Sequence, residues 1–268
     1  MVENSQMPFA ERAGVRIHYR DEGTGFPLVL HTGGAGDGTM WDEAGYTRRL
    51  DGFRLLVMDH RGRGRSSRVE DLAGHLRAEY ADDVVAVAAA AGVERFAFAG
   101  YSMGAAIGYR LAAAHPGRVS ALVAIGGAAD PPDEPDDPAP LVAMLEGEGM
   151  PALSDAIEAD EGIALPPWLR RNFDETDAGQ FALSLRAWAA EGDTTWADLA
   201  GIACPTALVA GSQEAAPGSL ERMAAALPAG AVVERLAGLG HVGAFLDSEA
   251  VLRAAMPILV AGRGEAPR

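Results

Sequence analysis

The stretch RFAFAGYSMGAAIGYRLAAAH, residues 95–115, decides the reading of the whole chain. Its opening, RFAFAG, is a short and nearly continuous apolar run, the pattern of a strand buried on both faces. From Ala105 onward it has helical propensity and few breakers. At the junction stands Gly100-Tyr101-Ser102-Met103-Gly104, a serine with one glycine two residues before it and another two residues after. Glycine weakens both strands and helices, so the pair must relieve crowding that larger side chains would create. A strand that turns straight into a helix at G-x-S-x-G is the setting of a nucleophile elbow. There the serine is held in a strained conformation with its hydroxyl above the sheet, and side chains at the glycine positions would strike neighbouring backbone. The start of the helix aims Met103 N–H at any oxyanion formed beside Ser102.

The segments on either side keep the same rhythm. Val15, Ile17 and Tyr19 alternate with polar residues as in a half-buried strand, and LVLHTGG, RLLVMDH and VSALVAIGG are further buried runs expected to lie parallel. LRAEYADDVVAVAAAAG spaces Leu76, Tyr80, Val84, Val87 and Ala91 at helical intervals. Strands alternating with helices predict a wound parallel sheet, an α/β fold. ADPPDEPDDPAP, residues 129–140, combines five prolines with five acids and breaks the pattern, reading as a hinge. Helical spacing follows to about Leu199, with a break at Pro166 and Pro167. PTALVAG, SLERMAAAL, AVVERLAG and a last helix from about Asp247 then restore the alternation. The expected organisation is a core of residues 1–128 and 200–268 interrupted by a helical cap, 129–199.

Composition excludes several classes. The chain has 268 residues and a formal charge of -16, which repels phosphate backbones and anionic membranes. One cysteine, Cys204, precludes an internal disulfide and makes the cytoplasm the expected compartment. The first residues lack a basic, apolar leader, and no segment is apolar enough to span a bilayer. No cluster at metal-ligand spacing accompanies Ser102, so neither a metal nor a cofactor is expected. A dinucleotide-binding reading of Gly34-Ala35-Gly36-Asp37-Gly38-Thr39, with Asp59 as the ribose acid, fails because the third glycine of G-x-G-x-x-G is missing.

With GYSMG in place, the chain resembles the α/β-hydrolase fold superfamily over nearly its full length. HTGGAGDGTMW is similar to the superfamily's oxyanion loop and MDHRGRGRSS to its Asp-x-Arg-Gly-x-Gly-x-Ser segment. IACPTALVAG and LAGLGHVGAFLD are similar to the stretches that precede its acid and surround its histidine. The resemblance implies Ser102 as nucleophile, His241 as base and Glu214 as the acid that orients it, with Asp130 the alternative acid. His31 and His60 end core strands near the site but precede Ser102, against the superfamily's order of serine, acid, histidine. His18, His75 and His115 have structural explanations. Thr32 stands where the oxyanion loop usually has histidine and Ala35 where it has proline, so what stiffens the loop is open. Gly34 N–H, or Gly33 N–H in a shifted register, is expected to join Met103 N–H in the oxyanion hole.

Asp59 and Arg61 are expected to fix a loop beside the site, and Arg61, Arg63 and Arg65 to be locally neutralised. Met144, Met150, Trp168, Phe173 and Trp188 are candidates to roof a pocket or simply to pack the cap, and Arg170 and Arg171 to be solvated. The implied activity is cofactor-independent hydrolysis of a small ester, lactone or related acyl substrate through an acyl-enzyme. Acyl transfer, C–C bond hydrolysis, perhydrolysis, a lyase or cyclase step, and a non-catalytic ligand-binding protein remain alternatives, and oligomeric state is open.

Overall fold

The computed structural model describes residues 8–129, 137–214 and 218–264. Eight strands form one sheet: β1 (Phe9–Arg12), β2 (Val15–Gly23), β3 (Phe26–His31), β4 (Phe53–Met58), β5 (Phe96–Tyr101), β6 (Val119–Ile125), β7 (Thr206–Gly211) and β8 (Val232–Leu236). Their order is β1-β2-β4-β3-β5-β6-β7-β8. β1 and β2 pair antiparallel, β2 runs antiparallel to β4, and every pairing from β4 to β8 is parallel. The buried runs are therefore parallel as their composition implies; β1, too short to show alternation, is an addition.

Strand residues alternate between the two sheet faces. Leu28, Leu30, Ala97 and Ala99 belong to one apolar cluster, and Val29, Phe96 and Phe98 to the other. Helices cover both faces: α1 (Thr39–Glu43), α2 (Arg77–Ala90) and α3 (Met103–Ala114) lie early in the chain, and α9 (Ser219–Ala226), α10 (His241–Leu246) and α11 (Ser248–Gly262) late. Between β6 and β7 the described residues form five helices: α4 (Ala139–Gly147), α5 (Met150–Glu161), α6 (Pro167–Asp174), α7 (Ala178–Glu191) and α8 (Thr195–Leu199).

Proline explains two departures from the expected boundaries. Ala139 and Pro140 belong to α4 rather than to the hinge, and Pro167 opens α6 instead of only breaking the pattern. A first-turn residue has no intrahelical acceptor for its N–H, so proline costs nothing there. Residues 130–136 of the expected hinge lie outside the described residues.

β3 and β5 are neighbours, with His31 in register with Gly100, yet the chain leaves them toward opposite sides of the sheet. The loops after these two strands therefore line the crevice that an open α/β sheet forms where its winding reverses.

Candidate active site

Ser102 occupies that crevice. Its backbone has φ 56° and ψ −119°, a conformation glycine tolerates and side chains resist. The turn is held from both ends: Ser102 N–H donates to Ile125 O at 2.8 Å, and Ser102 O accepts from Ala105 N–H at 2.8 Å. The flanking glycines are required by contact. A Cβ on Gly100 would lie 2.2 Å from Gly104 O, and one on Gly104 would lie 2.6 Å from both His31 O and Thr32 O. The elbow thus rests directly on the loop after β3.

His241 is the first residue of α10, a short helix not foreseen in the sequence. Its Nδ1 lies 2.8 Å from Glu214 Oε1, on the loop after β7; a carboxylate only accepts, so Nδ1–H donates to it and Nε2 is the ring nitrogen not engaged by the acid. Glu214 Oε2 accepts from Gly211 N–H at 3.2 Å, and Gln213 N–H donates to Leu239 O at 3.0 Å, tying the acid's loop to the histidine's. Glutamate's extra methylene is accommodated because Gly126, at φ +60° after β6, leaves room: a Cβ there would come within 2.9 Å of His241 Cε1 and 3.2 Å of Glu214 Oε1. The imidazole stacks on Tyr101, the residue before Ser102, with centroids 5.0 Å apart. Asp130 lies outside the described residues.

The loop after β3 passes on the other side of Ser102. A Cβ on Gly33 would lie 3.1 Å from Ser102 Cβ, and one on Gly34 would overlap the Phe181 ring at 2.2 Å. Without its usual proline the loop is held by side chains. Gly33 O faces His60 Nε2 at 2.9 Å, and Gly34 O accepts from Arg63 Nε at 2.6 Å. Gly36 N–H donates to Thr176 Oγ1 (2.8 Å), Asp37 N–H to Asn172 Oδ1 (3.2 Å) and Gly38 N–H to Asp59 Oδ1 (2.9 Å). Asn172 belongs to α6 and Thr176 to the turn between α6 and α7. Burial, then the nearby Arg63 charge, pushes His60 well below the usual imidazole range, and burial takes His31, stacked on it at 5.0 Å, down to about 4. Both rings are neutral at pH 7, and His60 places Nε2 2.9 Å from Gly33 O and Nδ1 3.1 Å from Arg61 O, either of which its single N–H can serve.

Asp59 fixes its loop as expected, accepting from Gly38 N–H, from Arg65 N–H (3.0 Å) and from His18 Nδ1 (2.8 Å). Arg61 pairs with buried Asp83 through two bonds of 2.7 and 2.8 Å. Arg63 departs from the expectation of local neutralisation: it is buried, and no carboxylate among the described residues pairs with it. His75 bonds Tyr80 Oη and Val69 O, His115 faces Asp82, and Arg170 pairs with Asp155 and Glu158, all structural roles. Of the residues considered for a pocket roof, Met150 and Phe173 are buried in the core, and Trp188 donates to His75 O.

Two contributors leave no mark in the sequence, Phe181 over Gly34 and Glu161 at the end of α5; a third, Arg63 behind Gly34, sits at a variable position of the Asp-x-Arg-Gly-x-Gly-x-Ser segment. Glu161 accepts from Val242 N–H (2.6 Å) and Gly243 N–H (3.0 Å), bracing the helix that begins with His241. Phe181 and Glu161 lie outside any motif, and only the tertiary fold brings them to the crevice.

Comparison with known proteins agrees with this architecture. The alpha/beta hydrolase fold family matches residues 27–154. A protein of Azorhizobium caulinodans named "Putative carbamate hydrolase RutD" is 36% identical over 124 residues, 45% of this chain and 44% of the relative. A non-heme haloperoxidase of Rhodococcus erythropolis is 37% identical over 122 residues, again 45% and 44%. The matched region thus spans less than half the length of these curated relatives. The enol-lactonase from Burkholderia xenovorans LB400 superposes over 94% of this chain and 100% of its own, with a TM-score of 0.80 and 26% identity. The chain has the α/β-hydrolase fold.

Proposed function

We propose that the protein is a cofactor-independent serine hydrolase of small esters, lactones or related acyl compounds, working through an acyl-enzyme. The observation that carries this reading is the 2.8 Å pairing of Glu214 with His241 beside a serine held at φ 56° between a strand and a helix. His241 Nε2 takes the Ser102 proton as Oγ attacks the substrate carbonyl, while Glu214 fixes the tautomer and stabilises the imidazolium. Met103 N–H, without an intrahelical acceptor at the start of α3, and Gly34 N–H stabilise the tetrahedral oxyanion. A trans peptide points its C=O and N–H in opposite directions, so the Gly33 C=O facing His60 turns Gly34 N–H away from His60 and favours Gly34 over Gly33 as the donor. His241 then protonates the leaving group and activates the water that releases the acyl product.

In this reading α4–α8 form a cap whose side chains Thr176, Asn172 and Phe181 close over the oxyanion loop and shape the acyl pocket. The similarity to proteins named as a carbamate hydrolase, an enol-lactonase and a haloperoxidase supports small substrates with an activated carbonyl and makes perhydrolysis the second chemistry to assay. A panel of p-nitrophenyl esters, lactones and aryl carbamates, assayed with wild type and Ser102→Ala, tests the proposal. Turnover of at least one class that disappears in Ser102→Ala is expected. Turnover unchanged in Ser102→Ala would refute the serine mechanism, and no turnover of any panel member would refute the substrate class.

A further inference from the structure

Resting on the reading of Gly34 N–H as an oxyanion donor, we propose that Arg63 is a positioning residue that fixes the oxyanion loop and supplies an unbalanced positive charge to the oxyanion formed beside Ser102. Three arginines lie close together behind the loop, and their partners differ. Arg61 and Arg12 share Asp83 and Glu79. Asp59 is occupied by His18, Gly38 N–H and Arg65 N–H. Arg63, only 3% exposed, has no acid among the described residues. Its Nε donates to Gly34 O and its Nη1 to Gly62 O at 3.0 Å; Nη2 is buried without a partner, and the guanidinium lies 5.2 Å from the Phe181 ring centroid.

A buried cation without a counter-charge is costly, and a neutral side chain of similar size at the same place would avoid that cost. No neighbour among the described residues balances the charge: His60 and His31 are neutral at best, and Tyr80, raised to about 12 by burial, keeps its proton. What would balance it is a negative charge that exists only during reaction. Gly34 O is anchored by Arg63 itself, so the negative charge, on the substrate oxygen that accepts from Gly34 N–H, would form beside the same glycine that the guanidinium holds. A donor fixed before reaction in a water-poor setting stabilises the transition state more than the ground state. Nothing in the Asp-x-Arg-Gly-x-Gly-x-Ser pattern asks for arginine here, since Arg63 fills one of its variable positions.

The test compares wild type, Arg63→Met and Arg63→Lys, with p-nitrophenyl butyrate as substrate and phenylboronic acid, which forms a tetrahedral anion on the serine, as transition-state probe. A unit charge on the order of 10 Å away, at an effective dielectric of about 20, changes a rate by roughly 10-fold. Arg63→Met should therefore lose about that factor in kcat with KM within about twofold, and boronate inhibition should weaken by the same factor. Arg63→Lys should recover most of both. Wild-type values in Arg63→Met, or equal losses in the two variants, would overturn the proposal. Should Arg63→Met not fold, the pH profile of Arg63→Lys decides. Burial pushes the Arg63 guanidinium down to about 10, and a buried lysine loses its proton at lower pH still, so the alkaline fall in kcat should set in at lower pH in this variant than in wild type; parallel profiles would overturn the proposal. Ser102-dependent turnover and boronate binding by wild type keep the hydrolase reading standing whatever Arg63 does, and their absence in wild type would defeat that reading instead.

Discussion

Replacing Ser102 by glycine should abolish turnover and stabilise the fold relative to Ser102→Ala. The φ of 56° and ψ of −119° place a Cβ-bearing residue in a conformation that costs about 1–3 kcal/mol. Alanine removes the hydroxyl but keeps the Cβ, so it keeps the strain; glycine removes both. Against this, glycine's greater freedom in the unfolded chain costs about 0.5–1 kcal/mol relative to alanine. The balance favours Ser102→Gly over Ser102→Ala by roughly 1 kcal/mol, or about 2–4 °C in Tm for a chain of this size. Three residues on, Ala105→Gly lies in the ordinary first turns of α3 and should lose about 0.5–1 kcal/mol, so two alanine-to-glycine exchanges in one segment should have opposite signs. Urea unfolding at pH 7, followed by circular dichroism, measures all of them. Ser102→Gly equal to or less stable than Ser102→Ala would refute the claim that the elbow stores strain.

Asp83→Asn removes the carboxylate that Arg61 and Arg12 share inside the fold, and should cost about 3–5 kcal/mol in the same unfolding assay; a loss under 1 kcal/mol would contradict the buried pairing. Stability should also fall on acidification from pH 6.5 toward 4. In that window the unfolded chain protonates its imidazoles, while His31 stays neutral down to about 4 and His60 lower still, so the unfolded state binds more protons. For His31 the loss is about 3 kcal/mol, complete below its folded pKa. His31→Asn should flatten the dependence, and an unchanged slope would count against a neutral buried ring.

Much of the fold was legible because its signals are local. Buried parallel strands announce themselves as short apolar runs, and the elbow is visible because crowding at two positions admits only glycine. Glu214 and His241 were reachable through their places after β7 and β8, although they are 27 residues apart and meet only through the packing of their loops. The helix starts at Ala139, with Pro140 in its first turn, and at Pro167 were misjudged because proline breaks a helix interior and begins a helix equally well. The side chains that hold the oxyanion loop were illegible. Thr176 and Asn172 lie about 140 residues beyond the loop they clamp, and no spacing rule connects them. Arg63 looked like one of three equivalent arginines, since which of them receives an acid depends on where α2 sets down Asp83.

The account depends most on the hydroxyl of Ser102 being a nucleophile activated by His241. Incubation with a fluorophosphonate, followed by intact mass and peptide mapping, measures this directly. One adduct on the peptide carrying Ser102 is expected, absent in Ser102→Ala and formed at least about 100-fold more slowly in His241→Ala. No adduct in wild type, an adduct that persists in Ser102→Ala, or a labelling rate indifferent to His241 would contradict it.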